Sequence, residues 1–270
     1  MDELGRLDRR PSRGWRCARC ERCGCQVADL KRSCGYLCGA AGHRYQSGDR
    51  RKKVRARDVD QAPQLQAQNE DRLRVLTVLR SGGEYKQWHV EALRKQVERH
   101  IPQADFWCLS DVNPDCRVIP LETDLPGWWA KLELYRQYGP VLYMDLDTAV
   151  VGSCDELLGR ISGKEFVILR DFYRGKKNPK AMGSGLMYWS GDVSYIWRAA
   201  QSGRPMREAP CDQTYLEKVV RRAEYFQDFS DGVLSYKADV RAGRDWRQAS
   251  IVCFHGKPRP WHQTEIPGWQ

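Results

Sequence analysis

From residue 73 onward, short apolar runs that suit β-strands alternate with segments whose apolar residues follow helical spacing. Residues 73–79 form an apolar run that ends in a turn at 81–83, and residues 89–97 carry an apolar helical face. Because parallel strands need crossover connections, this alternation predicts an α/β domain with a largely parallel central sheet. Further strands are predicted at residues 104–110, 141–145, 165–169, 184–189 and 250–254, and further helices at residues 129–138 and 212–222.

Residues 1–71 show neither the apolar pattern of a strand nor the helical spacing of apolar residues. We expect them to be separate from a folded domain at residues 72–270. They hold most of the chain's net charge of +10, with 16 Lys and Arg against 9 Asp and Glu in the first 70 residues. Residues 61–69 are polar and rich in Gln, a composition that cannot bury a core. A basic segment of this kind can bind nucleic acid, but residues 71–270 are close to neutral.

Six of the eleven cysteines lie between Cys17 and Cys38, partly in Cys-x-x-Cys pairs. That spacing allows a zinc site or a redox function. No apolar strand or helix pattern surrounds these cysteines, so the composition favours a disordered or spurious extension over either function. The other five cysteines are scattered and are expected to be reduced thiols.

The chain has no run of about 18 to 20 apolar residues that would cross a bilayer. Its first 16 residues are charged throughout and lack the apolar core of a secretory signal. We therefore expect a cytoplasmic protein.

Two carboxylates follow the predicted strand at residues 141–145, in the order Asp145-Leu146-Asp147. Ligands of open α/β sheets bind beyond the carboxyl ends of the strands. Two hard oxygen donors at that place suit Mg²⁺ or Mn²⁺, which can bridge a diphosphate. Asp-x-Asp is also common in surface turns, but the apolar residues 149–151 that follow make a solvated turn a poorer interpretation.

A histidine and a lysine follow the last predicted strand. His255 can supply an imidazole nitrogen to the same metal, and Lys257 can offer an ammonium group to phosphate oxygens. A capping histidine and a solvated lysine in a Pro-rich tail fit these residues equally well.

Four segments, YMDLDT, GSGLMYW, CDQTYL and CFHGKPRPW, occur in an order and spacing that resemble a known enzyme family. They are similar to retaining glycosyltransferases of the glycogenin and lipopolysaccharide-galactosyltransferase type, family 8-like members of the GT-A nucleotide-diphospho-sugar transferases. Short bacterial and phage glycosyltransferases are the most similar. The resemblance covers about residues 72–265. The tail resembles the family pattern His-x-x-Gly-x-x-Lys-Pro-Trp in a shortened form, so the His-to-Lys spacing differs.

The resemblance implies a GT-A fold and a metal-dependent transfer of a hexosyl group, with retention, from a nucleotide-diphosphate donor to a glycan or other acceptor. It implies that Asp145, Asp147 and His255 bind a divalent cation, typically Mn²⁺ or Mg²⁺. It also implies that the nucleoside and donor sugar or phosphate are bound by Thr77, Leu79, Tyr85, Lys131, Ser184, Gly185 and Lys257. The anomeric carbon and the acceptor would lie near Asp212 and Gln213.

Several of these residues also have a simpler interpretation. Asp212 follows Pro210-Cys211 and fits the N-cap of the helix predicted after it. Tyr85 fits a surface tyrosine, and Lys131 fits a solvated helix lysine.

Two other functions remain open from the residues alone. A sugar nucleotidyltransferase also uses a metal on an α/β sheet, and the Gly-rich turn at residues 80–83 is its only candidate phosphate signature. A nucleic-acid-binding protein would act through the basic residues 1–70, with steeply salt-dependent affinity.

Overall fold

A computed structural model describes residues 72–201 and 205–269 of the chain. The expectations that fall on residues 1–71, namely the extension, its zinc site and its redox function, lie outside the described residues. The boundary at residue 72 stays a prediction.

A seven-stranded sheet forms the centre of the fold, with the strand order β3-β2-β1-β4-β7-β6-β8. Its strands are β1 (Arg74–Leu79), β2 (Asp105–Ser110), β3 (Arg117–Pro120), β4 (Pro140–Met144), β6 (Phe166–Arg170), β7 (Met182–Ser190) and β8 (Glu224–Tyr225). All neighbours are parallel except β7, which runs antiparallel to both β4 and β6. The predicted α/β architecture with a mostly parallel central sheet is therefore confirmed.

A second sheet contains three short strands, the first of which follows β4 in the chain. It comprises β5 (Thr148–Val150), β9 (Val233–Ser235) and β10 (Ile251–Cys253), with β10 in the middle. Because β10 pairs with β5, the chain after β10 starts close to the segment that joins β4 to β5. The Phe254 N–H donates to the Asp147 carbonyl oxygen at 3.1 Å, which fixes this proximity.

Helices cover the central sheet. The α-helices are α1 (Gln87–His100), α2 (Asp155–Ile161), α3 (Ser194–Ala200), α4 (Pro205–Glu208) and α5 (Asp212–Val219). Short 3₁₀ helices lie at Arg174–Lys176, Phe226–Asp228, Val240–Ala242, Trp246–Gln248 and Pro260–His262, and a longer one spans Gly127–Arg136. Helix α1 buries Val90, Leu93 and Val97, the face that the sequence predicts.

The two faces of the sheet pack into two apolar clusters. Alternate residues of a strand point to opposite faces, so Val75 and Leu79 pack with α1 while Leu76 packs on the other side. The second cluster contains the fully buried Trp189 of β7. With both faces covered, β1 and β4 are almost continuously apolar, as in parallel sheets generally.

Short elements escaped the sequence analysis. Strands of two to four residues (β3, β5, β8 and β9) and the seven-residue helices α2 and α3 are too short for periodicity to reveal them. The helix predicted at 129–138 begins at Gly127 and is a 3₁₀ helix. The helix predicted at 212–222 ends at Val219, because Val220 adopts extended backbone angles.

In the described part of the chain, no helix is both long enough and apolar enough to cross a membrane.

One buried carboxylate fixes the entry to the 3₁₀ helix at Gly127–Arg136. Glu133 is 2% exposed and accepts hydrogen bonds from the backbone N–H groups of Glu122 and Thr123, both at 2.9 Å, and from the Thr123 hydroxyl at 2.5 Å. Arg136 lies 3.3 Å away and also pairs with Glu122 at the surface. Glu133 therefore holds the preceding loop against the helix.

We predict that Glu133→Gln lowers the free energy of unfolding by about 1 to 3 kcal/mol, because an amide cannot accept all of these hydrogen bonds. Urea denaturation would measure it. The matched control is Glu122→Gln, which removes the exposed partner of the same Arg136 and should cost less than about 1 kcal/mol. Equal losses in the two variants would contradict the role given to Glu133.

Candidate active site

A cavity of about 750 Å³ opens at the carboxyl ends of β1 and β4. The loop after β1, the 3₁₀ helix at Gly127–Arg136, the segment after β4, both ends of the β6–β7 connection, the start of α5 and the tail after β10 all line it. Strand β7 runs antiparallel, so its first residues, and not its last, reach this edge. The cavity thus lies where an open α/β sheet binds its ligands.

Lys131 joins three other predicted site residues into one network. Its Nζ lies 2.7 Å from Oδ1 of Asp145 and 3.3 Å from Oδ2 of Asp212. Ser184 Oγ donates to the same Asp212 oxygen at 2.7 Å and lies 3.4 Å from Nζ. The Lys131 side chain is 14% exposed, so it is not the solvated helix lysine of the simpler interpretation.

The charge of Lys131 is fixed by this network. Burial by itself lowers the pKa of the Lys131 ammonium, but the carboxylates of Asp145 and Asp212 outweigh burial and raise the pKa above its ordinary value. The side chain is therefore a permanent cation between two carboxylates.

The backbone of β7 and the side chain of Tyr143 complete the surroundings of Asp145. The Tyr143 hydroxyl donates a short hydrogen bond to Asp145, and the Asp145 N–H donates to the Gly185 carbonyl oxygen at 2.9 Å. A Cβ atom at position 185 would lie 3.3 Å from Asp145 Oδ2. Glycine at 185 therefore leaves room for the Asp145 carboxylate.

Asp147 forms an ion pair with a different cation, Arg259. Its carboxylate is 5% exposed and forms a short ion pair with Nη1 of Arg259. The same guanidinium donates two hydrogen bonds to the Glu84 carboxylate, from Nη2 to Oε2 at 2.7 Å and from Nε to Oε1 at 3.2 Å. Arg259 thus ties the C-terminal tail to the end of β4 and to the loop after β1.

The two neighbouring carboxylates repel each other. Burial, and then the negative charge of Asp145, raise the pKa of Asp147 to about 7, although Arg259 opposes the shift. The site holds more negative charge than Lys131 and Arg259 can stabilise fully.

His255 lines the same cavity but has its own partner. Its Nε2 lies 2.7 Å from Ser235 Oγ, its ring stacks on Phe172 at 5.8 Å, and Tyr173 meets it edge-on at 5.4 Å. Burial and then the charge of Lys237 lower the pKa of His255, so the imidazole is neutral at pH 7. Among the described residues, no group of three or more His, Cys, Asp or Glu side chains is close enough to hold a metal ion. The role of His255 as a metal ligand stays a prediction.

The start of α5 brings Asp212 and Gln213 to the cavity. The N-cap prediction for Asp212 is wrong: the cap is Cys211, which interacts with Thr214, and Asp212 is the first helical residue. Its side chain is free of the capping role and turns to Lys131 and Ser184. Gln213 Oε1 accepts a bond from Arg174 at 3.3 Å.

The structure separates the two residues assigned to β1 from the cavity. Val78 lines it, whereas Thr77 is fully buried and Leu79 packs with α1. Residues 77 and 79 point to the same face of the strand and residue 78 to the other. The role of Thr77 and Leu79 in nucleoside binding stays a prediction. Tyr85 does line the cavity, with the Arg259 guanidinium 5.2 Å from its ring centre.

The structure places Arg259 at the cavity, where it pairs with Asp147 and Glu84. Lys257 is exposed and does not line the cavity, and its role as a phosphate contact stays a prediction. Sequence reasoning missed Arg259 and its partner Glu84. The triplet Arg259-Pro260-Trp261 was the signal, because it matches the Lys-Pro-Trp end of the family pattern with arginine for lysine.

No protein-family model matches the sequence, and a search of curated proteins found no match. Solved structures do match. A crystal structure of the glycosyltransferase GlyE of Streptococcus pneumoniae TIGR4 aligns with a TM-score of 0.54 at 15% identity, over 73% of this chain and 58% of that one. Its apo form gives 0.53 at 14% identity, over 72% and 57%. A glycosyltransferase involved in glycosylation of the major capsid of PBCV-1 gives 0.47 at 13% identity, over 69% and 94%.

The two GlyE structures show that the chain has the fold of a glycosyltransferase. The chain spans slightly less than three-fifths of the length of each.

We predict that Asp147 makes the metal-free protein less stable as the pH rises from about 4 to 7. The unfolded chain releases this proton near pH 3.8, whereas the folded chain keeps it until about pH 7. The stabilising contribution is therefore present at low pH and is lost as the pH passes through the folded pKa. Asp147→Asn removes it, so the free energy of unfolding of the variant should fall less over this range.

Urea denaturation at several pH values in EDTA measures both profiles. The control is Asp124→Asn, a fully exposed carboxylate that pairs with Arg80. If the wild-type and Asp147→Asn profiles run parallel, Asp147 does not titrate in this range.

Proposed function

We propose that this protein is a glycosyltransferase that moves a sugar from a nucleotide-diphosphate donor to an acceptor. One observation carries the proposal. The Asp145–Lys131–Asp212–Ser184 network and the neighbouring Asp147 lie together in a large cavity at the carboxyl ends of parallel strands. The fold shared with two structures of a glycosyltransferase supports this reading of the cavity.

The carboxylate pair fits a divalent cation. Asp145 and Asp147 offer hard oxygen ligands of the kind that Mg²⁺ and Mn²⁺ prefer, and their mutual repulsion is the electrostatic reason to bind one. Asp145 and Asp147 would hold the ion, with His255 as the further ligand expected from the resemblance. When bound, such an ion stabilises the negative charge of a diphosphate.

Lys131 and Arg259 supply the fixed positive charge of the cavity. Breaking the bond between the sugar and the diphosphate leaves negative charge on the departing phosphate. A cation that is already in place and partly shielded from water stabilises that charge without first having to reorganise. Lys131 stands between the donor side at Asp145 and the acceptor side at Asp212, so it also orients both carboxylates.

Asp212 and Gln213 are proposed to face the anomeric carbon and the acceptor. Ser184 and Lys131 both contact Oδ2 of Asp212, which fixes the carboxylate and leaves Oδ1 to meet a substrate. Retention and a hexosyl donor follow from the resemblance, as does the assignment of a glycan acceptor.

The alternative of a sugar nucleotidyltransferase has weaker support. Arg80, the cation of its candidate phosphate turn, is held by the Thr123 carbonyl oxygen at 3.0 Å and by Asp111 at 3.6 Å. Ser81 donates to Asp111 through both its N–H and its hydroxyl. The turn is therefore tied to the neighbouring loop. The nucleic-acid alternative falls on residues outside the described structure.

We predict that the protein hydrolyses at least one nucleotide-diphosphate sugar in the presence of Mn²⁺ and that EDTA stops the reaction. A panel of UDP-, GDP-, ADP- and dTDP-sugars would be screened by release of the nucleoside diphosphate. Asp145→Ala, Asp147→Ala and His255→Ala should abolish this release while circular dichroism shows a folded protein.

The three variants separate the parts of the proposal. If no donor is hydrolysed at any metal concentration, the proposed function is wrong. If a donor is hydrolysed equally well in EDTA, the function stands without the metal. If only His255→Ala keeps near-normal turnover, the two carboxylates bind the ion without the histidine.

We predict that Arg259→Ala lowers kcat/KM for the donor by about 100-fold or more, because one fixed charge at a developing negative charge contributes about that much. Lys257→Ala is the matched control, since it removes a cation two residues away that does not line the cavity. It should change kcat/KM less than about threefold. The opposite order would restore Lys257 as the phosphate contact.

A further inference from the structure

One exposed tryptophan differs from the others near the cavity. Trp129 and Trp189 are 8% and 0% exposed and belong to the core, and Trp261 packs against His89 at 4.1 Å. Trp128 is 55% exposed and lines the cavity. Its ring makes no aromatic contact and no hydrogen bond with any residue in the described ranges. Nothing in the described fold explains why an apolar ring of this size faces water.

The backbone presents Trp128 at the mouth of the cavity. Gly127 has a φ of 55°, a left-handed angle that turns the chain just before the tryptophan. In a 3₁₀ helix, side chains three residues apart lie above one another. Trp128 therefore lies one helical turn before Lys131, on the same side of the helix. Lys131 on that side contacts Asp145 and Asp212.

Tyr173 is a second exposed ring on the cavity wall. It is 52% exposed, and its ring meets His255 edge-on at 5.4 Å. Its N–H donates to the Asp171 side chain at 3.0 Å. The next residue, Arg174, pairs with Glu217 of α5 at 2.8 Å, so the loop is anchored to the helix that carries Asp212.

We propose that Trp128 and Tyr173 form the acceptor subsite of this enzyme and that its occupant is a pyranose ring. This inference rests on the proposed glycosyltransferase function. One face of a pyranose carries C–H groups that pack on an aromatic ring, while its hydroxyl groups stay in water at the rim. The side chains of Lys131, Asp147 and Arg259 are at most 15% exposed, whereas Trp128 and Tyr173 are more than half exposed. The nucleotide-diphosphate is therefore assigned to the shielded charges and the sugar acceptor to the exposed rings.

The two rings are assigned to acceptor binding, and Trp128 makes no hydrogen bond or aromatic contact with the residues proposed to bind the metal or the diphosphate. Trp128 lies outside Lys131, and Tyr173 lies beside the helix whose first residue is Asp212. A sugar held between them presents a hydroxyl group toward Asp212 and Gln213. Small non-cyclic alcohols cannot make the ring contact, so the subsite selects saccharides over such acceptors.

The test separates acceptor binding from donor chemistry. Saturation-transfer NMR would measure binding of methyl β-D-galactopyranoside, methyl α-D-glucopyranoside and glycerol to wild type, Trp128→Ala, Trp128→Phe and Tyr173→Ala. With a donor from the hydrolysis screen, KM for each glycoside and the rate of donor hydrolysis would be measured in the same variants. Tyr138→Ala is the matched control, because Tyr138 is 59% exposed and does not line the cavity.

We expect Trp128→Ala to weaken glycoside binding and raise its KM about tenfold, a loss that corresponds to one aromatic stacking contact. Donor hydrolysis and donor KM should stay within about twofold. Trp128→Phe should recover most of the affinity, Tyr173→Ala should lose several-fold, and Tyr138→Ala should match wild type.

The inference is wrong if the wild type binds no glycoside more tightly than glycerol. It is also wrong if Trp128→Ala binds glycosides as well as the wild type does, or if donor hydrolysis falls in step with glycoside binding. A wild type that hydrolyses no donor contradicts the proposed function instead. Loss of glycoside binding in Trp128→Ala would then still show a saccharide site at this mouth.

Discussion

The cavity at the carboxyl ends of β1 and β4 depends on one buried ammonium group. Lys131 lies between Asp145 and Asp212, which come from the end of β4 and the start of α5, and it is close to Ser184 of β7. Without this cation, two shielded carboxylates would face each other with little compensation, since an unpaired buried charge costs several kcal/mol. The position of the lysine is in turn fixed by the 3₁₀ helix and by Glu133, which holds the loop in front of that helix.

Arg259 is a further cation that lines the cavity. Arg259 links Asp147 to Glu84 and so joins the C-terminal tail to the first loop of the domain. Burial and the charge of Asp145 still raise the pKa of Asp147, so Arg259 does not fully offset the unfavourable negative charge at the place where a metal ion and a diphosphate are proposed to bind. The cavity lining combines these shielded charges with the exposed rings of Trp128 and Tyr173.

Sequence patterns predicted the long elements, and the apolar runs of β1, β2, β4 and β10 were identified correctly. The structure brings Asp145, Lys131, Ser184 and Asp212 together, and the roles that the resemblance implies for them stay predictions. Val78 lines the cavity and Thr77 and Leu79 do not, which the sequence could not reveal because an apolar strand buried on both faces gives no sign of which residues point to one side. Lys257 and Arg259 differ by two positions in a Pro-rich tail, where no periodicity fixes direction.

The sequence by itself determined the α/β class, the edge of the sheet where the cavity lies and the pair of carboxylates at that edge. These follow from local hydrophobic periodicity and from the position of charged residues after apolar runs. Only the tertiary structure decided that Arg259 pairs with Asp147, that His255 bonds to Ser235 and that Trp128 is exposed at the cavity while the adjacent Trp129 is buried. Each of these depends on segments distant in the chain, and local patterns carry no information about which distant segments meet.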